Sequence, residues 1–319
     1  MGPAVVSSLC QRGVSVRTLS LDTPQAGTFS EDVEVRLGDI TNPGTIRAAM
    51  EGADAVVHLA ALLHILNPPP EMRERYERIN VRGTAIVTSE AARAGVRRVV
   101  LFSTIAVYGP SGGAVVNEES PPAPDSLYAE TKLRAERIVL EAASSNGEPL
   151  GTVLRMGAIY GARIKGNYRR LVELLARRHF IPIGDGRNRR TLVYDRDVGQ
   201  AAVLALQSPA AAGRVYNVTD GTFHTMTEIV SAICTALGRR PPRFALPAMP
   251  VRVAAGLLEN AARLFHMAPL IGQATLEKYL EDVAVAGERI QMELGFRPQF
   301  DLVAGWQDTI EEMRRSGDL

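Results

Sequence analysis

Short apolar runs alternate with helical patterns through the first half of the chain, and this alternation restricts the fold more than any other feature. The helical patterns include Asn42–Glu51, with Pro43 in its first turn, and Glu71–Ala94. Strands joined through helices pair in parallel, so the sequence predicts an α/β fold with a doubly wound, mostly parallel sheet. Ala53–Leu59 is nearly all apolar, which predicts a strand buried on both faces. The other predicted strands are Val14–Ser20, Val33–Leu37, Arg97–Phe102 and Thr152–Met156.

The chain begins with a helical pattern rather than a strand. Gly2 to Gly13 has the pattern of a short helix closed by a glycine, and the first predicted strand follows it. A right-handed βαβ unit needs a strand before its helix. We therefore expect that the first strand of the sheet is missing from the sequence as it stands. The corresponding expectation is a true start roughly a dozen codons upstream, with an in-frame strand and glycine motif.

The second half of the chain is less regular. Helical patterns cover Asn167–His179, Asp197–Gln207 and Thr227–Leu237, a strand pattern covers Arg214–Val218, and a proline-rich connector precedes the last helices. The apolar stretch Val251–Met267 is interrupted by charged residues. It predicts an amphipathic helix of the core, with contact to a membrane surface as the alternative.

Composition excludes several classes of protein. The chain has 319 residues, 22% charged residues and a formal net charge of +1. These values are typical of a soluble globular protein, and they give no reason to expect a nucleic-acid partner. No run of about 18 apolar residues is present, so we expect no membrane span, and without a signal peptide we expect a cytoplasmic location. The two cysteines and five histidines have no ligand spacing, so no metal is expected.

A tyrosine and a lysine stand four residues apart in a predicted helix, Ser126–Ser145. Tyr128 and Lys132 share one helical face. The chain has 36 basic residues, of which three are lysines: Lys132, Lys165 and Lys278. Because lysine is rare in this chain, a lysine four residues after a tyrosine is not expected by chance. A lysine charge beside a phenol is expected to lower its pKa toward neutral pH, which suits proton transfer to a substrate oxygen. The alternative is an incidental pair on a solvated helix face.

Polar residues follow the predicted strands at their carboxyl ends. Asp39, His58, Ser103 and Thr104 all occupy such positions. Ligands of open parallel sheets bind beyond the carboxyl ends of the strands. The sequence therefore predicts a site at this edge, close to Tyr128.

Seven short motifs in order resemble the extended short-chain dehydrogenase/reductase superfamily, in its NAD-dependent epimerase/dehydratase branch. The resemblance covers essentially the whole chain and implies a Rossmann-type sheet with a smaller C-terminal substrate lobe. The dinucleotide-binding domain would be residues 1–161, with 191–218 returning to it, and the lobe would be 162–190 and 219–319. The motifs are Gly38-Asp39, His58-Leu59-Ala60-Ala61, Asn80 through Thr84, Phe102 through Gly109, Tyr128-x-x-x-Lys132, Leu154-Arg155 through Tyr160-Gly161, and Tyr216-Asn217-Val218.

The resemblance implies a catalytic group of three residues. Tyr128 would be the general acid/base, Lys132 would bind the nicotinamide ribose and lower the pKa of the tyrosine, and Thr104 would orient the substrate oxygen. Ser103 is the neighbouring alternative to Thr104, and it would also contact the cofactor.

The resemblance also implies a set of cofactor contacts. Gly2 matches the last glycine of the family's Gly-x-x-Gly-x-x-Gly motif, whose first two glycines have no counterpart here. Asp22, after the second family strand, favours NAD over NADP, although it equally suits the start of a turn with Pro24. NADP stays possible. The remaining implied contacts are Asp39 and Ile40 with the adenine, Leu59, Ala60 and Ala61 with the cofactor backbone, and Asn80 in support.

Other positions bear on the substrate. Asn167 and Arg190 match the family positions that hold the nucleotide end of a sugar nucleotide, although Arg190 ends a basic loop that is equally typical of solvated surface. Ala158 stands where epimerases and dehydratases usually have Asn. Ile105 and Ala106 replace the Asp-Glu pair of the dehydratases, which argues against 4,6-dehydration because neither can move a proton.

The resulting expectation is an NAD-dependent sugar-nucleotide epimerase, similar to the UDP-sugar 4-epimerases, that oxidises and re-reduces C4. The first alternative is an NAD(P)-dependent reductase or dehydrogenase of a 4-keto sugar nucleotide or a sterol-like alcohol. The second is a non-catalytic dinucleotide-binding regulator, against which the intact group of Thr104, Tyr128 and Lys132 argues. A homodimer is the oligomeric form that the resemblance favours.

Overall fold

The computed structural model describes residues 1–63, 65, 68–264 and 273–319 as an α/β protein. The helices are α1 (Gly2–Cys10), α2 (Pro43–Met50), α3 (Met72–Tyr76), α4 (Thr84–Arg93), α5 (Leu127–Glu141), α6 (Asn167–Ala176), α7 (Asp195–Gln207), α8 (Met226–Ala236), α9 (Ala248–Leu264), α10 (Gln273–Leu280), α11 (Glu288–Leu294) and α12 (Leu302–Arg315). The strands are β1 (Arg17–Ser20), β2 (Glu34–Leu37), β3 (Ala55–His58), β4 (Arg98–Thr104), β5 (Val115–Val116), β6 (Gly151–Met156), β7 (Ala158–Tyr160), β8 (Arg189–Arg190), β9 (Leu192–Tyr194), β10 (Val215–Val218), β11 (His224–Thr225) and β12 (Ala284–Val285).

The main sheet is parallel and has the strand order β10-β6-β4-β3. Strands β1 and β2 pair in parallel as a separate sheet, and in the part of the chain that the structure describes no strand joins them to β3. The predicted mostly parallel sheet is confirmed. The prediction that Ala53–Leu59 is buried on both faces is wrong, because β3 is an edge strand: Ala55 is exposed, and Val56 and Val57 are half-buried.

Two arginines tie the smaller sheet to α2. Arg17 in β1 donates to the carbonyl oxygens of Ala49 and Glu51, at 3.1 and 2.6 Å, and Arg36 in β2 donates to a neighbouring carbonyl of the same helix. Glu34 accepts hydrogen bonds from both arginines. The last carbonyl groups of a helix have no partner within the helix, so these contacts fix the end of α2 against β1 and β2.

Helix α5 begins one residue after the predicted start at Ser126 and ends four residues before the predicted end at Ser145. The Ser126 side chain accepts a hydrogen bond from the Ala129 amide, at 3.3 Å. A side chain at Gly151 in β6 would overlap the carbonyl group of Val139. The glycine therefore lets α5 lie directly against β6, which brings the Tyr128 end of the helix to the carboxyl edge of the sheet.

The predicted long helix Glu71–Ala94 is interrupted. A π-helical segment, Glu77–Gly83, separates α3 from α4. Such segments insert an extra residue into a helix and often occur at functional sites. A side chain at Gly83 would crowd Ile40, which follows β2. The interruption thus lies where the helix passes the end of the smaller sheet.

Two hydrophobic clusters lie on either side of the strands β7 and β9. One packs α1, α7 and α11 against the main sheet, and the other packs α6, α8 and α12 around Trp306. Ile290 and Leu294, which fall in the predicted C-terminal lobe, pack with the sheet cluster. The predicted division at 161/162 stays a prediction.

The apolar stretch predicted as a core helix, Val251–Met267, corresponds to part of α9, and residues 265–267 lie outside the described residues. Ala255 is buried, whereas Val253 and Leu257 are 58% and 66% exposed. The core prediction is therefore wrong for this face of the helix. None of the helices that the structure describes is long and apolar enough to cross a membrane.

Candidate active site

The structure brings together Thr104 and Tyr128, two residues that the sequence selects independently. Thr104 ends β4, and its hydroxyl accepts a hydrogen bond from the Ala106 amide, at 3.2 Å, where a short 3₁₀ helix begins. A side-chain hydrogen bond joins Thr104 to Tyr128 in the first turn of α5. Two hydroxyl groups therefore meet at the carboxyl edge of the main sheet.

Burial keeps the Tyr128 phenol protonated. The pKa of Tyr128 is raised from 10.0 to about 12, because burial disfavours the phenolate more than the hydrogen bond to Thr104 favours it. The prediction that the lysine lowers this pKa toward neutral is wrong for this structure, since Lys132 is not among the groups that shift it. At neutral pH Tyr128 can donate a proton to a ketone oxygen.

Lys132 lies one helical turn after Tyr128 and is 2% exposed. Its pKa is lowered from 10.5 to about 8 by burial, against the opposing effect of the Glu136 carboxylate. The alternative that the Tyr-Lys pair lies on a solvated helix face is therefore wrong. The ammonium group stays mostly charged at neutral pH and is held in a dry part of the protein.

A buried ion pair adjoins Lys132. The Glu136 carboxylate accepts hydrogen bonds from the Arg155 guanidinium, the shortest at 2.7 Å, and from the Ser103 hydroxyl, at 2.5 Å. The Arg155 guanidinium stacks 4.8 Å from the centre of the Tyr108 ring. Because Ser103 is bound to Glu136, the geometry favours Thr104 over Ser103 as the hydroxyl partner of Tyr128.

Sequence reasoning missed Glu136. A signal was present, because Glu136 stands four residues after Lys132 on the same helical face, at the spacing of a helical ion pair. Its burial and its second partner, Arg155 in β6, come from the tertiary structure and have no local signature.

Asn80 holds the loop that follows β3. Its side-chain oxygen accepts a hydrogen bond from the Leu62 amide, at 2.7 Å, and its nitrogen donates to the Leu62 carbonyl and to Thr131, at 3.2 Å each. Of the predicted cofactor residues in this loop, Leu59 and Ala61 are half-buried and Ala60 is exposed. Asn80 thus links this loop to α5 from the π-helical segment.

His58 is buried at the end of β3. A hydrogen bond of 3.0 Å joins its Nε2 atom to the Thr84 hydroxyl. Burial, together with the Lys132 charge, lowers the pKa of His58 from 6.5 to about 3, so the imidazole is neutral at neutral pH. The histidine supports the first turn of α4.

The other predicted cofactor residues lie at strand and helix ends. Asp39 follows β2, accepts a hydrogen bond from the Thr41 amide, at 2.8 Å, and has its carboxyl pKa lowered by this contact. Asp22 is exposed in the turn after β1, and its carbonyl accepts a hydrogen bond from Ser20, at 2.9 Å. Gly2 is the first residue of α1, with open space where a side chain would lie. His58 and Thr104 end neighbouring strands of the main sheet at its carboxyl edge, whereas Asp39 follows a strand of the smaller sheet.

The two predicted substrate residues have different surroundings. Asn167 is exposed at the start of α6. Arg190 is 9% exposed, and one of its terminal nitrogens donates to the carbonyl oxygens of Lys278 and Tyr279, at 2.5 and 2.9 Å. The neighbouring Arg189 pairs with Asp282 at 2.7 Å. The alternative of a solvated loop is wrong for Arg190, whose guanidinium is partly used to hold the end of α10.

The model of the NAD dependent epimerase/dehydratase family matches residues 1–219. The chain belongs to this family. It is therefore an NAD-dependent oxidoreductase or epimerase with a Rossmann-type fold, as the sequence motifs imply. The polar groups available to such a cofactor are the Tyr128 and Thr104 hydroxyls, the buried Lys132 ammonium and the Asp39 carboxylate, which include both donors and acceptors.

The relatives of this chain include enzymes that are named for different substrates. A 3 beta-hydroxysteroid dehydrogenase/Delta 5-->4-isomerase of Mycobacterium tuberculosis is 28% identical over 94% of this chain and 84% of its own length. A UDP-glucose 4-epimerase of Vibrio cholerae is 27% identical over 66% of this chain and 65% of its own length. Among solved structures, MoeE5 in complex with UDP-glucuronic acid and NAD has a TM-score of 0.76 and 27% identity, covering 99% of this chain and 96% of that chain.

The described residues contain no group of three or more His, Cys, Asp or Glu side chains that could hold a metal ion. The polar groups of the candidate site are hydroxyl, ammonium and carboxylate groups.

Proposed function

We propose that this family member is a sugar-nucleotide 4-epimerase that oxidises C4 of its substrate and reduces it again on the other face. The observation that carries the proposal is the hydrogen bond between Tyr128 and Thr104, one helical turn from a buried lysine. NAD, when bound, accepts the hydride and returns it. The protein must hold the sugar oxygen and move its proton.

Each of the three residues has a distinct task in this proposal. Tyr128 takes the proton of the C4 hydroxyl during oxidation and returns it to the ketone during reduction. Thr104 fixes the orientation of the same oxygen. Lys132 donates hydrogen bonds to the ribose next to the nicotinamide, and its charge favours the phenolate once the site is filled.

The proposed cofactor contacts follow the carboxyl edge of the sheets. Asp39 and Ile40 would contact the adenine, and Leu59, Ala60 and Ala61, in the loop that Asn80 holds, would line the cofactor backbone. Ser103 in β4 would also contact the cofactor. Gly2 would admit the pyrophosphate to the start of α1, and Asp22 would accept from the adenine ribose, which favours NAD over NADP.

The proposed substrate contacts are those of a sugar nucleotide. MoeE5, crystallised with UDP-glucuronic acid, supports this class because its likeness extends over 99% of this chain. Asn167 and the Arg190 guanidinium would hold the nucleotide end. Ile105 and Ala106 make elimination of water unfavourable, since neither side chain exchanges protons.

A second candidate function is net oxidation of a sterol-like alcohol. The mycobacterial hydroxysteroid dehydrogenase matches 94% of this chain, whereas the Vibrio epimerase matches 66%. In addition, Arg189 pairs with Asp282, and Arg190 already donates to two carbonyl groups. These contacts leave the two guanidinium groups with fewer hydrogen bonds to offer a diphosphate.

One experiment separates the two candidates. The full chain is incubated with a panel of UDP-sugars and of hydroxysteroids, with NAD, and the products are followed by NMR. We expect epimer formation from a UDP-sugar without accumulation of NADH. NADH formation from a hydroxysteroid alone would replace the first candidate by the second.

A single substitution tests the catalytic role proposed for Tyr128. Tyr128→Phe removes the hydroxyl that moves the proton, so we expect turnover to fall by about 10²–10⁴-fold with NAD binding retained. Tyr216→Phe is the matched control, because Tyr216 is a buried tyrosine in β10 that bonds Glu293 outside this site. Full turnover by Tyr128→Phe on the identified substrate would refute the assignment.

A further inference from the structure

A patch of exposed apolar side chains lies next to clustered arginines in the second half of the chain, and we call the two together the apolar–basic surface. Phe244 is 85% exposed, and Met249 in α9 is 65% exposed. Isolated exposed apolar residues are ordinary, but a contiguous group marks an interaction surface. The members are Ile181, Phe244, Leu246, Met249, Val253 and Leu257, with Arg177, Arg178, Arg240 and Arg243.

Backbone pairing makes these residues neighbours. The Leu246 amide donates to the Pro182 carbonyl, at 2.9 Å, and the Gly184 amide donates to the Leu246 carbonyl, at 2.8 Å. Ile181 therefore lies beside the segment that carries Phe244 and Leu246.

Helix α9 extends the apolar part. Met249, Val253 and Leu257 are spaced four residues apart and all three are exposed, so they form one stripe along the helix. Ala255, on another side of the helix, is buried. The outward face of α9 is thus apolar where a solvated helix would be polar.

The arginines lie at one end of this surface. Arg239 donates to the Leu175 carbonyl near the end of α6, at 3.4 Å, which places the segment 239–243 beside the exposed Arg177 and Arg178. The stretches 177–184 and 238–257 contain six arginines and no acidic residue. Arg252 has an acidic partner on a neighbouring helix, Glu277 of α10, at 2.8 Å.

We propose that the apolar–basic surface docks this protein onto the surface of an anionic lipid bilayer. The exposed side chains would enter the boundary between headgroups and acyl chains, while the arginines contact anionic lipids. A second copy of the chain fits less well, because a two-fold contact presents the same patch of each copy to the other, and this patch has no acidic residue that could pair with the arginines. Helix α9 has 17 residues and would lie along the bilayer.

The first test measures binding of the full chain to vesicles. Vesicles of phosphatidylcholine and phosphatidylglycerol at 70:30 are compared with vesicles of phosphatidylcholine alone by co-sedimentation. We expect the anionic vesicles to bind the protein and 0.5 M salt to weaken this binding, because salt screens the arginine contacts. Absence of binding to the anionic vesicles at low salt would overturn the proposal.

The second test uses variants of the surface. The triple change Phe244→Ser, Met249→Ser and Val253→Ser is expected to weaken vesicle binding by about tenfold or more, because it removes the groups that would enter the bilayer. Met292→Ser is the matched control, since Met292 is 77% exposed on α11 outside the surface. Circular dichroism checks that each variant is folded. Equal loss by the control, or no loss by the triple variant, would refute the assignment.

The third test asks whether the arginines contribute to vesicle binding and whether the surface instead joins two copies of the chain. Arg177→Glu with Arg178→Glu should weaken anionic-vesicle binding by about fivefold or more per arginine, while Arg97→Glu, at an exposed site before β4, should leave it unchanged. Light scattering after size exclusion measures the oligomeric state. A dimer that the triple variant breaks, together with no vesicle binding, would make this face a contact between copies and overturn the proposal.

Discussion

At the scale of single residues, burial of Lys132 costs stability that its neighbours offset only in part. The pKa of Lys132 is lowered to about 8, so the unfolded chain binds this proton more tightly than the folded one. We expect Lys132→Met to raise the free energy of unfolding by about 1–3 kcal/mol at pH 7 while abolishing turnover. The difference in unfolding free energy between Lys132→Met and the wild type is largest below pH 8 and shrinks as the pH rises from about 8 to 10.5.

Urea unfolding at pH 7 and at pH 10 measures this effect. Lys165→Met is the matched control, because Lys165 is exposed in the turn before α6 and should change the free energy of unfolding by less than about 0.5 kcal/mol. A destabilised Lys132→Met protein would show that the contact of the ammonium with Glu136 outweighs its burial.

The buried His58 should lower the free energy of unfolding in acid. Its folded pKa of about 3 lies below the unfolded value of 6.5, so below pH 6.5 the unfolded chain takes up a proton that the folded chain does not. The free energy of unfolding should therefore fall by about 1.4 kcal/mol per pH unit from this residue as the pH drops from 6.5 toward 3.

The check is urea unfolding of the wild type and of His58→Gln between pH 7 and pH 4. The glutamine amide keeps a hydrogen bond to Thr84 without a titrating group, so the variant should lose this part of the slope. His179→Gln, at an exposed position, should keep it. An unchanged slope in His58→Gln would assign the acid sensitivity to other groups.

At the scale of elements, the turn after the 3₁₀ helix depends on Gly109. Its φ is +65°, and a side chain there would overlap the Ala123 carbonyl oxygen. Gly112, in the loop that follows, has φ +61° with open space around it. Gly112→Ala should cost about 1 kcal/mol of unfolding free energy through the backbone alone, and Gly109→Ala should cost about 3 kcal/mol or more.

Thermal and urea unfolding of the two variants checks this difference. Gly109→Ala should also weaken turnover, because the turn directly follows Thr104 and its 3₁₀ helix. Equal costs for the two glycines would mean that the Ala123 segment can move aside, and that the turn does not fix the site.

Local patterns predict the elements whose determinants are local. Pro43 in a first turn, the helical patterns and the alternation of apolar runs were enough to place α2, β4 and α5. The sequence did not predict the π-helical segment, within which Gly83 packs against Ile40, a residue far away in sequence. The same holds for Glu136 and Arg190, whose partners come from distant parts of the chain. The pKa of Tyr128 was misjudged because burial, which no spacing reveals, raises it more than the hydrogen bond to Thr104 lowers it.

At the scale of the whole molecule, two short strands couple the hydrophobic clusters. In β9, Val193 packs into the cluster of the main sheet, while Leu192 and Tyr194 pack into the cluster around Trp306. Successive side chains of a strand point to opposite faces, so one strand belongs to both cores. Strand β7, which pairs with β9, repeats this arrangement with Ile159 and Tyr160. Unfolding of either cluster would therefore expose one face of β7 and β9 to water.

This coupling predicts that the chain unfolds as one unit, and Trp306 is the probe. It is the single tryptophan, fully buried, with its ring stacked on Tyr160 at 4.7 Å between centroids. Leu154→Ala removes a buried side chain from the other cluster and should lower the free energy of unfolding by about 2–5 kcal/mol. If the clusters are coupled, tryptophan fluorescence and far-UV circular dichroism will shift together to lower urea in this variant. A shift of the circular dichroism transition with the fluorescence transition unchanged would show two independently folding parts.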